Sequence, residues 1–457
     1  MMDKPGIFGK YRFLIAAFII FVLSLFVKLS YFNSLQKVLM FPDSYEYLSA
    51  AEKIKSLNVE ISRVPGYPVF LLATRVVFRF MKTETGIFIA QAIMSSVGAV
   101  LLLKAGFLLF KSRIASVSVC LIYIFHSAVF SWDFLILTES MSMFLIILLV
   151  LLFALYSYTR HRMYLLFLYM TCIVLMFTKP FYIFLPVLLS GVLIFQSMVA
   201  KDTKDIKRVL ALSIIGPAVA YSIVAAYSYV NYRQNGYFGI SNVSAINRLG
   251  KVLQYDMYSL GENEKIVSLI ENEMKTNGGA KPVPAEFIKK HGLDDNNYSE
   301  LREFLNSIIK KHPLLFVKKT VELTFTEIYK EKFFIDYNKY NSNSEWHQFL
   351  YDKIADVPWL NSFGFVFILL LAEISNIVFS IAKSCCFRVK KHEWPWIFVM
   401  LLCLYQLVLS IAGSHGEYHR LMAPVYALIF LIFMRLILQL CSFGKKVFCQ
   451  IHYKEKN

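Results

Sequence analysis

Residues 41–68 read FPDSYEYLSAAEKIKSLNVEISRVPGYP and follow the first long apolar run of the chain. Tyr47, Ala51 and Ile54 recur at helical spacing, so a short helix is expected over 44–57. Asp43 and Glu46 stand three apart at its start, the spacing of a capping box, and Asp43 suits the cap position. Arg63 and the turn-rich Pro65-Gly66-Tyr67-Pro68 close the segment. The next stretch, 68–81, is apolar but carries Arg75 and Arg79. At 14 residues it falls short of the roughly 17 needed to cross a bilayer. It is read as an amphipathic helix lying in the interface. This reading decides the topology. If 68–81 crossed, Lys111/Arg113, Arg160/Arg162 and the basic run 201–208 would all face outside. With 68–81 in the interface, all three clusters face the cytoplasm, as the positive-inside rule requires.

The remainder of the chain agrees with a membrane setting. Of 457 residues, 57% are hydrophobic and 17% charged, against about 25% charged in soluble domains. The fold class expected is an all-α polytopic membrane protein of about ten transmembrane helices. Apolar runs lie at 13–31, 87–110, 115–130, 138–156, 164–177, 181–198, 209–230, 363–381, 394–411 and 421–440. Both termini are then cytoplasmic. Three divisions follow. Residues 1–230 form a catalytic transmembrane module with its first outer loop at 32–86. Residues 231–357 form a helical outer-face domain, with helical periodicity at 264–275, 298–311 and 314–333, too small and polar to fold without the spans. Residues 358–457 hold the last transmembrane helices and a basic tail. The net charge of +17 follows from basic clusters between spans and argues against nucleic acid as partner. Cys120, Cys172 and Cys403 fall within spans, none lies in the polar loops, and no Cys/His spacing resembles a zinc site.

This topology collects Asp43, Arg63, Tyr67, Glu139, Lys179, Arg248, Glu417, His419 and Arg420 at the outer interface. A carboxylate there can take a proton from a hydroxyl while cations hold a phosphate leaving group. Asp43 and Glu139 are the candidate catalytic acids. Glu139 also suits the first turn of a helix by its dipole. Arg63, Lys179, Arg248 and Arg420 are candidate phosphate ligands, Arg420 foremost because a guanidinium fork matches phosphate oxygens. Tyr67, Glu417 and His419 are candidate substrate contacts. His126, inside a span, reads as a packed core residue. His415 and His419 stand four apart, and without neighbouring carboxylate geometry that spacing is a weak metal signal.

PDSYEYLSAAEKI at 42–54, RVPGYPVFLL at 63–72, LTES at 137–140, FTKP at 177–180 and EYHRLMAPVYAL at 417–428 resemble recurring segments of the GT-C superfamily of membrane glycosyltransferases. That superfamily includes the aminoarabinose transferase of lipid A and the protein O-mannosyltransferases. The resemblance covers residues 10–250 and, more weakly, 412–435. It implies a GT-C fold with juxtamembrane helices, a polyprenyl-phosphate-linked sugar donor, and inverting transfer to a hydroxyl of a surface glycan, glycolipid or O-antigen. It further implies an active site on the outer face of a bacterial cytoplasmic membrane, serving lipopolysaccharide or other envelope synthesis from an undecaprenyl carrier. No cofactor is required, though a carboxylate-bound divalent cation is compatible with it. Some members carry two adjacent acids in the first loop, whereas Asp43 and Glu46 are three apart here. Two other readings use the same features: a surface-polysaccharide polymerase, and a non-enzymatic lipid-linked-sugar flippase. The latter calls for ionisable residues deep in the spans and repeated halves.

Overall fold

The computed structural model describes residues 7–35, 37–200, 203–293, 298–328, 363–382, 389–416 and 418–454. Among these the chain is helical, and its only strand-like pairing is one parallel bridge between Leu39 and Leu135. Helix α1 spans Ile7–Leu35. Its outer stripe of Leu14, Phe18, Val22 and Phe26 is exposed; such a face is compatible with lipid and would be a liability in water. After it come two short helices, α2 (Pro42–Lys55) and α3 (Gly66–Val77). Both begin about two residues earlier than periodicity suggests. Pro42 supplies the fixed φ of a first helical residue, and Ser44 Oγ accepts the Phe41 N–H at 3.0 Å. The N-cap position is therefore Phe41, with Ser44 at N3 reaching back to it, and Asp43 is the second helical residue and not the cap.

Helix α4 (Thr83–Phe110) leads to α5 (Arg113–Phe125), α6 (Ser127–Phe130), α7 (Glu139–Thr159) and α8 (Arg162–Thr178). The single straight span expected over 115–130 is instead broken, with a 63° bend between 113–125 and 127–134. The cause is local. His126 adopts an extended conformation, and its Nδ1 accepts the Ala128 N–H at 3.2 Å, ending one helix and capping the next. Helices α9 (Leu185–Ala200) and α10 (Thr203–Asn235) complete the first module. The domain for which an outer-face position is expected contributes α11 (Val243–Gln254), α12 (Glu264–Thr276), α13 (Pro284–Lys290), α14 (Tyr298–Lys311) and α15 (Pro313–Ile328). Last come α16 (Phe363–Ala382), α17 (Trp394–Gly413), the short α18 (Tyr418–Met422) and α19 (Tyr426–Lys454). The part of the expected helix 314–333 beyond Ile328, and the stretch to residue 357, lie outside the described residues.

Seven helices among the described residues are long and apolar enough to cross a membrane, or eight if the bent pair counts as one span. The segments Arg162–Thr178 and Phe365–Val378 are apolar but shorter. The chain is thus a multi-pass membrane protein. Helix α7 lies at its centre, packed on α4, α8, α17 and α19. The outer-face domain has a hydrophobic core of its own, including Leu249, Ile266, Phe287, Leu301 and Phe304.

Two ties place the first outer loop. Leu39 N donates to Phe134 O at 2.8 Å, fixing the approach to α2 against the segment after α6. Farther on, Val59 N donates to Gln234 Oε1 at 2.7 Å, and Ser241 Oγ donates to Ser62 O at 2.8 Å. The loop is therefore held between the transmembrane bundle and the start of the outer-face domain.

Candidate active site

Five elements bring ionised side chains to one point. Asp43 is the second residue of α2, and its carboxylate turns away from the helix end. Oδ1 accepts from Arg63 Nη2 at 2.7 Å, and Oδ2 from Arg420 Nη2 at 2.6 Å. Glu139 opens α7. Its Oε1 accepts from Arg420 Nε at 2.9 Å and from Lys179 Nζ at 3.2 Å. Arg420 thus bridges the two carboxylates, while Arg63 also reaches Glu46 Oε2 at 2.8 Å and stacks over the Tyr47 ring at 4.7 Å.

Local sequence explains each placement. Lys179 follows α8, and Pro180 after it disfavours helical geometry at residue 179, which is extended. Gly66 opens α3 against the end of α8: a Cβ there would collide with Phe177 O and Thr178 N. Only glycine admits this approach, which sets the Arg63 loop beside Lys179. Arg420 lies on α18. The Tyr418 hydroxyl accepts from buried Lys251 Nζ on α11 at 3.1 Å, so the outer-face domain helps hold that helix.

The cluster is graded in access. The Glu139 side chain is fully buried, whereas Asp43 keeps 27% of its side-chain surface exposed. Burial pushes the Asp43 carboxyl up, but the guanidiniums of Arg63 and Arg420 outweigh it, and the net shift is below the ordinary value. Three carboxylates, Asp43, Glu139 and Glu46, face three cations, and Glu46 is the most exposed of the three. Glu139 Oε2 has no hydrogen-bond partner. Every other oxygen of the Asp43 and Glu139 carboxylates is held by a cation. Arg420 fills the space between the two carboxylates. No group of three His, Cys, Asp or Glu side chains among the described residues could hold a metal ion.

The remaining candidates are placed differently. Tyr67 is fully buried and donates to Gln91 Oε1 at 2.6 Å, edge-on to Tyr47 at 5.0 Å. It forms the wall behind the cluster and not an open contact. Arg248 is bound within the outer-face domain, to Asn306 Oδ1 and to Ser244 O, and does not join the cluster. His419 lies on α18 beside Arg420, and Glu417 falls outside the described residues.

A buried polar bracket behind the site is absent from the sequence reading. Lys28 and Asp133 lie 3.8 Å apart, both fully buried, and Ser140, next to Glu139, donates to Asp133 Oδ1 at 2.6 Å. Gln91 Nε2 donates to the carbonyls of Asp133 and Leu135 at 3.0 and 2.8 Å. The same segment receives the Leu39 N–H. It therefore registers the approach to Asp43, the start of α7 and, through Gln91 and Tyr67, the wall at Tyr47. The available signal is Lys28 itself, a cation inside an apolar span, which calls for a partner.

No family model matches the chain, and no curated protein sequence does. Among solved structures it is similar to the archaeal oligosaccharyltransferase AglB from Archaeoglobus fulgidus, in complex with an inhibitory peptide and a dolichol-phosphate. The TM-score is 0.53 at 14% identity, over 97% of this chain and 52% of that one. The likeness is one of fold: the chain has the all-α GT-C membrane fold. It spans about half the length of that neighbour.

Proposed function

We propose that this chain is a glycosyltransferase that moves a sugar from a polyprenyl-phosphate donor to an acceptor hydroxyl, at the outer face of a bacterial cytoplasmic membrane. The observation that carries the reading is the convergence of Asp43 and Glu139 with Arg63, Lys179 and Arg420 on a GT-C fold. The neighbour's dolichol-phosphate is a lipid phosphate of the same class.

The free site holds its own cations in check, because each guanidinium is bound to a carboxylate. An arriving lipid phosphate competes for Arg420, Arg63 and Lys179. As they turn to it, Asp43 loses the charges that depress its basicity. The acceptor hydroxyl then attacks the anomeric carbon, its proton passing to Asp43. The bond from that carbon to the phosphate oxygen breaks, and its electron pair leaves with the lipid phosphate, whose charge the cations hold. One displacement inverts the anomeric centre. Glu139, buried beneath, keeps Arg420 and Lys179 aimed at the leaving group. No metal enters this scheme, because the three cations supply the positive charge.

The test is single-turnover transfer by the purified full chain in nanodiscs, across a panel of polyprenyl-phosphate sugars. Transfer with inverted anomeric configuration is expected, unchanged by EDTA. Retention of configuration, or EDTA inactivation reversed by Mg²⁺ or Mn²⁺, would overturn this scheme. The flippase reading gains something from the ionisable pairs within spans, Lys28 with Asp133 and Arg435 with Glu373 at 2.7 Å. It predicts movement of an intact lipid-linked sugar across a sealed vesicle with no sugar transferred, which the same preparation can measure.

A further inference from the structure

A cleft of about 1000 Å³ opens where α10 meets the outer-face domain, away from the carboxylate cluster. One wall is the loop that carries Arg63. Ile61 lines the cleft, and Arg63, two residues on, holds Asp43. Gln234 and Asn235, at the end of α10, also line it and bond the loop at Val59. The cleft and the cluster are thus two sides of one tethered strip of backbone.

Its floor is a face of α14. Arg302, Asn306 and Lys310 recur every four residues along it, a row of about 12 Å at 1.5 Å per residue. That length exceeds a single sugar ring. Arg302 and Lys310 are exposed and make no ion pair among the described residues, whereas Lys281, Lys290 and Lys311 of the same domain pair with Asp256, Glu273 and Glu262. Glu303 also lines the cleft, so its lining carries one net positive charge. At the mouth, Phe238 is 58% exposed. Tyr237 beside it is braced edge-on against buried Tyr298 at 5.0 Å. One exposed and one half-exposed ring, amides and two cations without an ion pair among the described residues match a chain that offers sugar faces, hydroxyls and anionic groups. A peptide added to a sheet would need a strand edge, and the described residues contain no named strand.

We propose that this cleft is the acceptor subsite, and that it takes an anionic oligosaccharide, with carboxylates or phosphates on Arg302 and Lys310 and sugar rings against Phe238 and Tyr237. The word acceptor rests on the transfer reaction proposed above; the binding does not. The test is equilibrium binding to the full chain in nanodiscs, without donor. The probes are a hyaluronan hexasaccharide and an oligogalacturonate of equal length, with maltohexaose as the neutral control and an acidic peptide of matched charge.

The acidic glycans are expected to bind more tightly than maltohexaose and than the peptide. Arg302→Glu with Lys310→Glu should weaken them by about tenfold or more, since a charge-assisted contact contributes at least that. Phe238→Ala should weaken them several-fold. All three positions are exposed, so these variants are expected to fold. Equal binding of the neutral glycan or the peptide, or indifference to the double charge reversal, would overturn the proposal. If the acidic glycans bind as described but no sugar is transferred, the transfer reading fails while the anionic-glycan site stands.

Discussion

At the scale of single residues, Asp43 and Arg420 carry opposite sides of one arrangement. Because the side-chain contact at the start of α2 is Ser44 Oγ accepting the Phe41 N–H, replacing Asp43 by Asn leaves it intact and removes only the charge and the base. The expected result is a folded protein with transfer lowered by roughly 10²–10⁴, measured as single-turnover rate beside donor binding. Near-normal transfer would move the search to Glu139. Stability should respond to acid with a definite sign. The folded Asp43 carboxyl titrates below its ordinary value of 3.8, so its ion pairs contribute fully above that value. The wild type's advantage in thermal stability over Asp43→Asn should stay level from neutral pH down to about 3.8, then shrink as pH falls through the folded pKa. Arg420 serves two acids at once, one of them fully buried. Arg420→Ala strands a fully buried Glu139 on Lys179 alone, so it should cost about 3–5 kcal/mol as well as donor use. Arg420→Lys keeps the charge without the fork and should lose less of both. Arg420→Ala with wild-type melting and transfer would remove it from the cluster.

Among elements, the site depends on how closely α3 approaches α8. Gly66→Ala puts a methyl group against backbone atoms of residues 177 and 178, which cannot rotate aside. The expected cost is about 1–3 kcal/mol, with transfer falling because the Arg63 loop is displaced. Gly191→Ala is the control, since nothing lies within 4 Å of its added Cβ. Equal melting temperatures for the two variants would mean that α3 shifts freely. The bracket behind α7 is also an element-scale device. Lys28→Met removes the cation 3.8 Å from Asp133 Oδ2, a buried oxygen with no hydrogen-bond partner, and should destabilise by about 3–5 kcal/mol, whereas Lys28→Met with Asp133→Asn removes both charges and should cost less. A double variant as unstable as the single one would show that the pair acts through packing and not through charge.

Across the whole molecule, the proposed orientation makes Ser268 of α12 external and Lys207 of α10 cytoplasmic. Both are exposed. In a background lacking the native cysteines, Ser268→Cys should react with a membrane-impermeant maleimide on intact cells and Lys207→Cys only after lysis. The reverse pattern would invert the bundle and place the carboxylate cluster in the cytoplasm. The core at Leu249, Ile266 and Phe304 makes the outer-face domain more than a connecting loop. Through Lys251 and Tyr418 it also bears on the position of Arg420.

Run length and basic clusters in the sequence determine a multi-pass helical protein, because a bilayer admits only long apolar helices and sorts lysine and arginine by side. The acidic start of α2, Glu139 at the head of a span, and the cations at 63, 179 and 420 are legible for the same reason: charge at a span end is costly without a partner. Which charge meets which is not legible, since those residues come from segments up to 377 positions apart. Tertiary packing alone decides that Arg420 joins Asp43 to Glu139, that Tyr67 becomes a wall and that Arg248 stays with Asn306. The break at His126 is local, one side chain capping the following helix, but the apolar run continues through it and hydropathy does not reveal it. Hydropathy is a property of each residue, whereas an ion pair depends on the path of the backbone between its two members.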